Sequence, residues 1–298
     1  MNKCIIFGGY GYIGSHLAES LKKKFKVYRY SNSDFNKTKK IKKFSYNLKN
    51  FRKYIKKINP KIIFFLSGNS YPNNSYNKSL YDFKRTNIVI QNFLTSLKEL
   101  NFKGKIIYAS SIAVYGKDKN FTNEYVNEKS PTNPKNYYGL SKILAENQFI
   151  YFQKKYKLKI YILRITSVFG LNLKKQVIYE MINKVKNHKS NIIKLSGKKN
   201  DCRQFLYIED LIKIFLKLIS LKKNYLLLNI SNGKKFKIQS ILNYILRSFK
   251  IKKKIIFENN YSPDFPLLKN DLLLKEIKNF KFENFYHSLD KTIKYINK

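Results

Sequence analysis

An α/β chain built on a doubly wound parallel sheet is what the sequence predicts, and three observations carry that expectation. Short β-branched and aromatic runs alternate with longer segments whose apolar residues recur at helical spacing, the pattern of repeated βαβ units. Several of the short runs, such as Ile62 to Leu66, are apolar throughout, as strands covered on both faces must be. A glycine-rich turn between Gly8 and Gly14 separates the first run from the first helical segment.

Each element follows in order. The first strand is Lys3 to Phe7, and Ile13, Leu17 and Leu21, spaced four apart, predict a helix from about Ile13 to Lys24. Strands are expected at Val27 to Tyr30, Ile62 to Leu66, Lys105 to Ser110 and Ile160 to Ile165, with helices over Leu80 to Leu100 and Tyr137 to Tyr156. After residue 170 the pattern loosens, with helices at 175–187, 209–222 and 237–249, strands at 203–207 and 225–230, and a closing helix near Phe285 to Ile296. The expected division is a first domain over 1–168 and a smaller C-terminal α/β lobe over 169–298, with 203–233 returning to the main sheet.

Composition bounds the function. A chain of 298 residues with 24 Tyr, 23 Phe, 11 Gly and 6 Pro is built to bury surface, which excludes disorder. The net charge of +43 would ordinarily suggest a polyanion partner. Here it comes almost wholly from Lys spread along the chain, with six Arg, and accompanies abundant Ile, Asn, Phe and Tyr, the residue set of A/T-rich codons. Nucleic acid is therefore not the expected partner. Cys4 and Cys202 stand far apart without a metal-ligand spacing, and His16, His188 and His287 share no spacing with carboxylates, so no metal is expected. No apolar run is long enough to span a bilayer and the start shows no signal-peptide pattern, giving a cytoplasmic expectation.

Gly8, Gly11 and Gly14 follow a strand and open a helix, the context in which a glycine triplet binds a dinucleotide. The turn needs unusual dihedrals and close backbone approach to a pyrophosphate, and the helix start at Tyr12 and Ile13 offers free N–H groups to it. This is the Rossmann-type arrangement. Sites selective for NAD carry an acid after the second strand; here the sequence runs Arg29-Tyr30-Ser31-Asn32, with Arg29 and Ser31 on one face and Lys37 close behind, so NADP is slightly favoured over NAD.

Three segments together point to chemistry. Ser110-Ser111 ends a strand, Ile112 to Gly116 follows, and Tyr138-Gly139-Leu140-Ser141-Lys142 comes 27 residues after Ser111. Tyr138 and Lys142 share a helix face, where the ammonium is expected to lower the phenol's pKa and make it a general base, with the Ser111 hydroxyl holding the same oxygen.

On these residues the chain resembles the extended short-chain dehydrogenase/reductase family of NAD(P)-dependent nucleotide-sugar epimerases and dehydratases. Leu163 to Gly170, Arg203 to Asp210 and Leu228 to Gly233 extend the resemblance over nearly the whole chain. It implies a catalytic set of Ser111, Tyr138 and Lys142, with Asn87 supporting the site and Arg203 contacting a sugar nucleotide's pyrophosphate. Asn47-Leu48 stands where the family has an Asp-Leu pair near the adenine, and Leu66 is placed beside the cofactor. Ser111, Ser167 and Arg203 are the expected substrate contacts, Ser167 standing where 4-epimerases commonly have Asn.

Departures from the family pattern narrow the reaction. Its dehydratases carry Asp-Glu after the catalytic hydroxyl residue, where this chain has Ile112 and Ala113, and the Cys of GDP-fucose-synthase-like enzymes is absent from that region. The expectation is a nucleotide-sugar epimerase of 4-epimerase type. A NADPH-dependent 4-keto-sugar reductase is the alternative, and a non-catalytic nucleotide-binding protein with polyanion affinity is a further one. The helices near 85–100 and 137–156 resemble those that form a four-helix homodimer interface in the family.

Overall fold

The computed structural model describes residues 1–31, 45–68, 80, 83–116, 125–187, 192–197, 199–258 and 266–297. Six strands form its main sheet: β1 (Asn2–Phe7), β2 (Phe25–Tyr30), β3 (Ile62–Phe65), β4 (Lys105–Ser111), β5 (Lys159–Ile165) and β6 (Tyr225–Ile230). They lie in the order β6-β5-β4-β3-β1-β2 and every pairing is parallel. From β1 the chain winds first to β2 on one side and then to β3 on the other. That reversal opens a crevice beyond the carboxyl ends of the strands, where ligands bind in open α/β sheets.

Alternation along β1 explains the layers. Ile5 and Phe7 face α2 (Leu48–Ile58), α3 (Val89–Glu99) and α4 (Tyr137–Tyr156), packing with Phe51, Phe93 and Phe149. Cys4 and Ile6 face α1 (Tyr12–Leu21) and the helix Ile208–Ser220. This second apolar cluster runs without a break into the C-terminal part of the chain through Phe169, Met181, Phe205, Ile241 and Leu289.

Several elements differ from the sequence expectation. The α2 helix, not anticipated, places Leu48, Phe51, Ile55 and Ile58 on one stripe amid Lys and Arg; Asn47 caps it by accepting from Asn50 N at 2.9 Å. The helix expected over 80–100 carries a π-helical turn at Lys84–Ile88 before α3. The single strand expected at 203–207 is two. Cys202–Arg203 pairs antiparallel with Phe236–Lys237, and Phe205–Tyr207 pairs parallel with Ser167–Phe169. Gln204 between them is buried and grips the Leu268 backbone, donating to its oxygen at 3.0 Å and accepting from its nitrogen at 2.7 Å. A further parallel pair, Ile192–Ser196 with Lys254–Glu258, was also unanticipated.

Candidate active site

The glycine turn shows why each glycine stands there. Gly8 has φ +82°, and a Cβ on it would lie 2.8 Å from the Leu66 carbonyl carbon; a Cβ on Gly14 would lie 2.2 Å from Gly8 O. Tyr30 O, at the end of β2, accepts from Gly8 N at 2.8 Å and Gly9 N at 3.1 Å, locking the turn to the sheet. Gly11 is different: a Cβ there would meet only Gly8 O, at 3.3 Å. Protein packing does not demand glycine at this position, whereas close approach of a ligand to the start of α1 would. Gly11 is also the N-cap of α1 and offers no side-chain cap, so the first helical N–H groups point out unsatisfied by a capping side chain. This cradle fits a pyrophosphate.

Across the crevice, Ser111 closes β4, and its hydroxyl accepts from Ala113 N at 3.2 Å as it starts a short 3₁₀ turn. Tyr138 sits in the first turn of α4, which Asn136 caps through Gly139 N at 2.9 Å. The Ser111 hydroxyl is near enough to the Tyr138 phenol to favour its ionised form. One turn on, Lys142 donates from Nζ to Ala109 O at 2.9 Å, with Nζ 5.8 Å from the Tyr138 ring centroid and 5.1 Å from that of Tyr108. Among the described residues, Lys142 is the one lysine classed as buried. A Cβ on Gly68, in the segment after β3, would lie 3.4 Å from Lys142 Nζ, so the backbone there comes close to the ammonium.

Electrostatics correct one expectation. Burial pushes the Tyr138 phenol above its ordinary pKa, and the Ser111 hydroxyl offsets this only in part. Burial likewise lowers Lys142 to about 8, with the Glu146 carboxylate pulling the other way. Without ligand the phenol therefore rests protonated. Asn87, in the π-helical turn, donates from Nδ2 to Ser141 O at 3.0 Å and so fixes the helix between Tyr138 and Lys142. Its buried Oδ1 has no partner.

The remaining expected residues are spread over the turn, the tip of β2 with the start of α2, and the C-terminal part of the chain. Tyr12 and Ile13 form the start of α1, and Leu66 follows β3 with its N–H on Phe7 O at 2.9 Å, all three lining the turn. Arg29 lies across the turn's outer side, donating from Nε to Gly9 O at 2.8 Å and stacking 4.1 Å from the Tyr10 centroid. Ser31 is buried at the tip of β2, and Asn47 and Leu48 start α2. Ser167 and Arg203 lie in the short strands of the C-terminal part, both half-buried. Asn32, Lys37 and His188 lie outside the described residues. Sequence reasoning missed Tyr108 and Gly68, whose approach to Lys142 depends on how β3 and β4 end. It also missed Glu146, although the Lys142 to Glu146 spacing of four was a usable signal.

Comparison with known proteins bears on the family and the fold. The chain is 31% identical over 247 residues to a dTDP-D-glucose 4,6-dehydratase of Dictyostelium discoideum, covering 72% of this chain and 55% of that protein, so it spans little more than half of that relative's length. It is 27% identical to the dTDP-4-dehydro-6-deoxyglucose reductase of Escherichia coli, over 86% of this chain and 84% of the reductase. Its fold superposes on the UDP-glucose 4-epimerase of Thermotoga maritima solved with UDP-glucose, with a TM-score of 0.88 at 19% identity over 100% of this chain and 99% of the other. A profile of the NAD dependent epimerase/dehydratase family matches residues 4–231, and it is to this family that the chain belongs.

Proposed function

We propose that the protein is an NAD(P)-dependent nucleotide-sugar epimerase of the 4-epimerase type. The observation that carries the reading is the convergence of Ser111, Tyr138 and buried Lys142, with Ile112 and Ala113 rather than carboxylates following Ser111 in the chain. Ile112 and Ala113 are 8% and 2% exposed. Elimination of water needs an acid and a base at the ring; proton and hydride exchange at one carbon needs only the phenol. The likeness to a named dehydratase therefore does not extend to the residues that would dehydrate.

In this reading the dinucleotide, held at Gly11, Tyr12 and Ile13 and over Lys142, supplies a hydride acceptor and donor. Tyr138 takes the proton of the sugar hydroxyl and later returns it, Ser111 holds the same oxygen, and Lys142 supplies the positive charge that steadies phenolate. A protonated resting phenol is also suited to donate to a keto sugar, which favours a reductase as the second reading, as does the absence of an acid after β2. Arg29, fixed on Tyr10, and Ser31 support a preference for NADP.

We further propose a homodimer formed by α3 and α4. Tyr137, Leu140, Leu144 and Tyr151 are exposed along α4, Ile88 is exposed before α3, and a groove of about 570 Å³ runs between the helices. No described helix is long and apolar enough to cross a membrane. Cys4 and Cys202 are both unpaired, which supports a reducing, cytoplasmic setting.

The test has two parts. Protein purified without added cofactor is denatured and its released dinucleotide identified by mass spectrometry; a stoichiometric retained dinucleotide is the expected result for an epimerase, NAD in place of NADP overturning the reading of Arg29 and Ser31, whereas an empty protein that takes up NADPH identifies the reductase. Incubation with UDP- and dTDP-hexoses, followed by chromatography of the products, then looks for the C4 epimer. Activity that survives in Tyr138→Phe sinks the assignment.

A further inference from the structure

Among the buried charged groups that the proposed chemistry leaves unused is Glu146. It is fully buried, one turn beyond Lys142 on α4. Its carboxylate accepts from Ser110 Oγ at 2.5 Å and from Arg164 at 3.1 Å through Nε and 2.7 Å through Nη2. Ser110 adjoins Ser111 at the end of β4, and Arg164 belongs to β5. Arg164 also donates from Nη1 to Tyr115 Oη at 2.8 Å, and Tyr115, just past the 3₁₀ turn that follows Ser111, donates to Asn229 Oδ1 of β6 at 2.7 Å. One carboxylate thus ties together the helix and the strand end that carry all three reactive side chains.

We propose that Glu146 is a positioning residue: its carboxylate clamps the helix bearing Tyr138 and Lys142 to the strand end bearing Ser111, and keeps the Lys142 ammonium charged in its buried seat. The inference rests on the reading of Tyr138 and Lys142 given above. The groups facing Lys142 can be named element by element. From its own helix they are Tyr138 and Glu146; from β4, the Tyr108 ring and Ala109 O; from the segment after β3, the backbone of Gly68. Of these, Glu146 alone is a carboxylate side chain, and it opposes the burial that strips Lys142 of its proton. Arg164, on the far side of the carboxylate, compensates Glu146, and the carboxylate in turn holds Arg164 firmly protonated although burial works against its charge.

The experiment reads Lys142 directly. In protein labelled with [ε-¹³C]lysine, the Lys142 resonance is assigned by its loss in Lys142→Arg and followed against pH. The wild-type midpoint is expected near 8. In Glu146→Gln it drops by about one pH unit or more, a tenfold or greater change in the ionisation constant, and Glu146→Asp restores most of it. Should Glu146→Gln fail to fold because Arg164 is left unpaired, Arg164→Met gives the converse reading: it leaves the Glu146 carboxylate uncompensated, and the Lys142 midpoint rises. A midpoint that stays in place in either folded variant overturns the proposal. The measurement needs no substrate, so its outcome is independent of whether Tyr138→Phe abolishes turnover.

Discussion

Lys142 Nζ donates to the carbonyl oxygen of Ala109 at 2.9 Å, which pins the buried ammonium of α4 to the strand that ends in Ser111. That bond fixes the charge on the helix relative to the hydroxyl at the end of the strand. It also makes the site costly to the fold.

The cost has a pH signature. Burial lowers Lys142 from 10.5 to about 8, so below pH 8 the folded and unfolded chains both carry the charge and the folded one bears its desolvation. From pH 8 to 10.5 the folded chain sheds the proton first, and stability from this group rises. Lys142→Met should therefore match or exceed wild-type stability at pH 7, by up to a few kcal/mol at about 1.4 kcal/mol per pH unit, and lose this rise. Urea denaturation between pH 7 and 10 measures it; equal slopes for the two proteins would refute it.

At the turn, Gly14→Ala drives a Cβ to 2.2 Å from Gly8 O and should destabilise the chain by about 2 kcal/mol or more. Gly11→Ala meets only one atom, at 3.3 Å, and should leave stability within about 0.5 kcal/mol while weakening dinucleotide binding about tenfold. Thermal melts and a fluorescence titration with NADH and NADPH separate the two effects. Wild-type affinity in Gly11→Ala would move the phosphate cradle elsewhere.

Tyr138→Phe should lower kcat by about 10²- to 10⁴-fold with little change in nucleotide-sugar binding, because the phenol acts on the proton rather than on the ground state. Ser111→Ala should cost less, since a hydrogen bond is lost while the base remains. Steady-state kinetics with calorimetric substrate binding checks both, and equal losses of binding and rate would argue for a packing role.

Arg29 holds Gly9 O and lies on Tyr10, so Arg29→Ala should loosen the turn for every cofactor. If its guanidinium also meets a 2′-phosphate, NADPH affinity falls about tenfold further than NADH affinity. Parallel titrations give the ratio; an equal fall assigns Arg29 to the turn alone.

Leu144→Glu with Tyr151→Glu places charges on the exposed face of α4, at residues that are 38% and 55% exposed in the single chain. Analytical ultracentrifugation should show a dimer for wild type and a monomer for the variant. A monomer in both removes the proposed interface.

Much of the framework was legible because it is written locally. The helix Tyr137 to Tyr156 and the strand Tyr225 to Ile230 fall within the bounds expected of them, and Gly8, Gly11 and Gly14 announce their turn through spacing alone. The α2 stripe of Leu48, Phe51, Ile55 and Ile58 obeys the same period but is diluted by Lys and Arg, which hid it. Short strands such as Ser167–Phe169 carry too few residues for a period and exist because Phe205–Tyr207 pairs with them.

By itself, the sequence determined the βαβ order, the glycine turn and the Ser, Tyr and Lys types of the candidate site, since each depends on neighbours within a few residues. Tertiary structure alone decided which of many lysines is buried, that the Tyr138 phenol rests protonated, that Arg29 is occupied by Gly9, and that Glu146 joins Ser110 to Arg164. Those outcomes follow from desolvation and from contacts between residues remote in the chain, and both come into being only when the sheet closes around them.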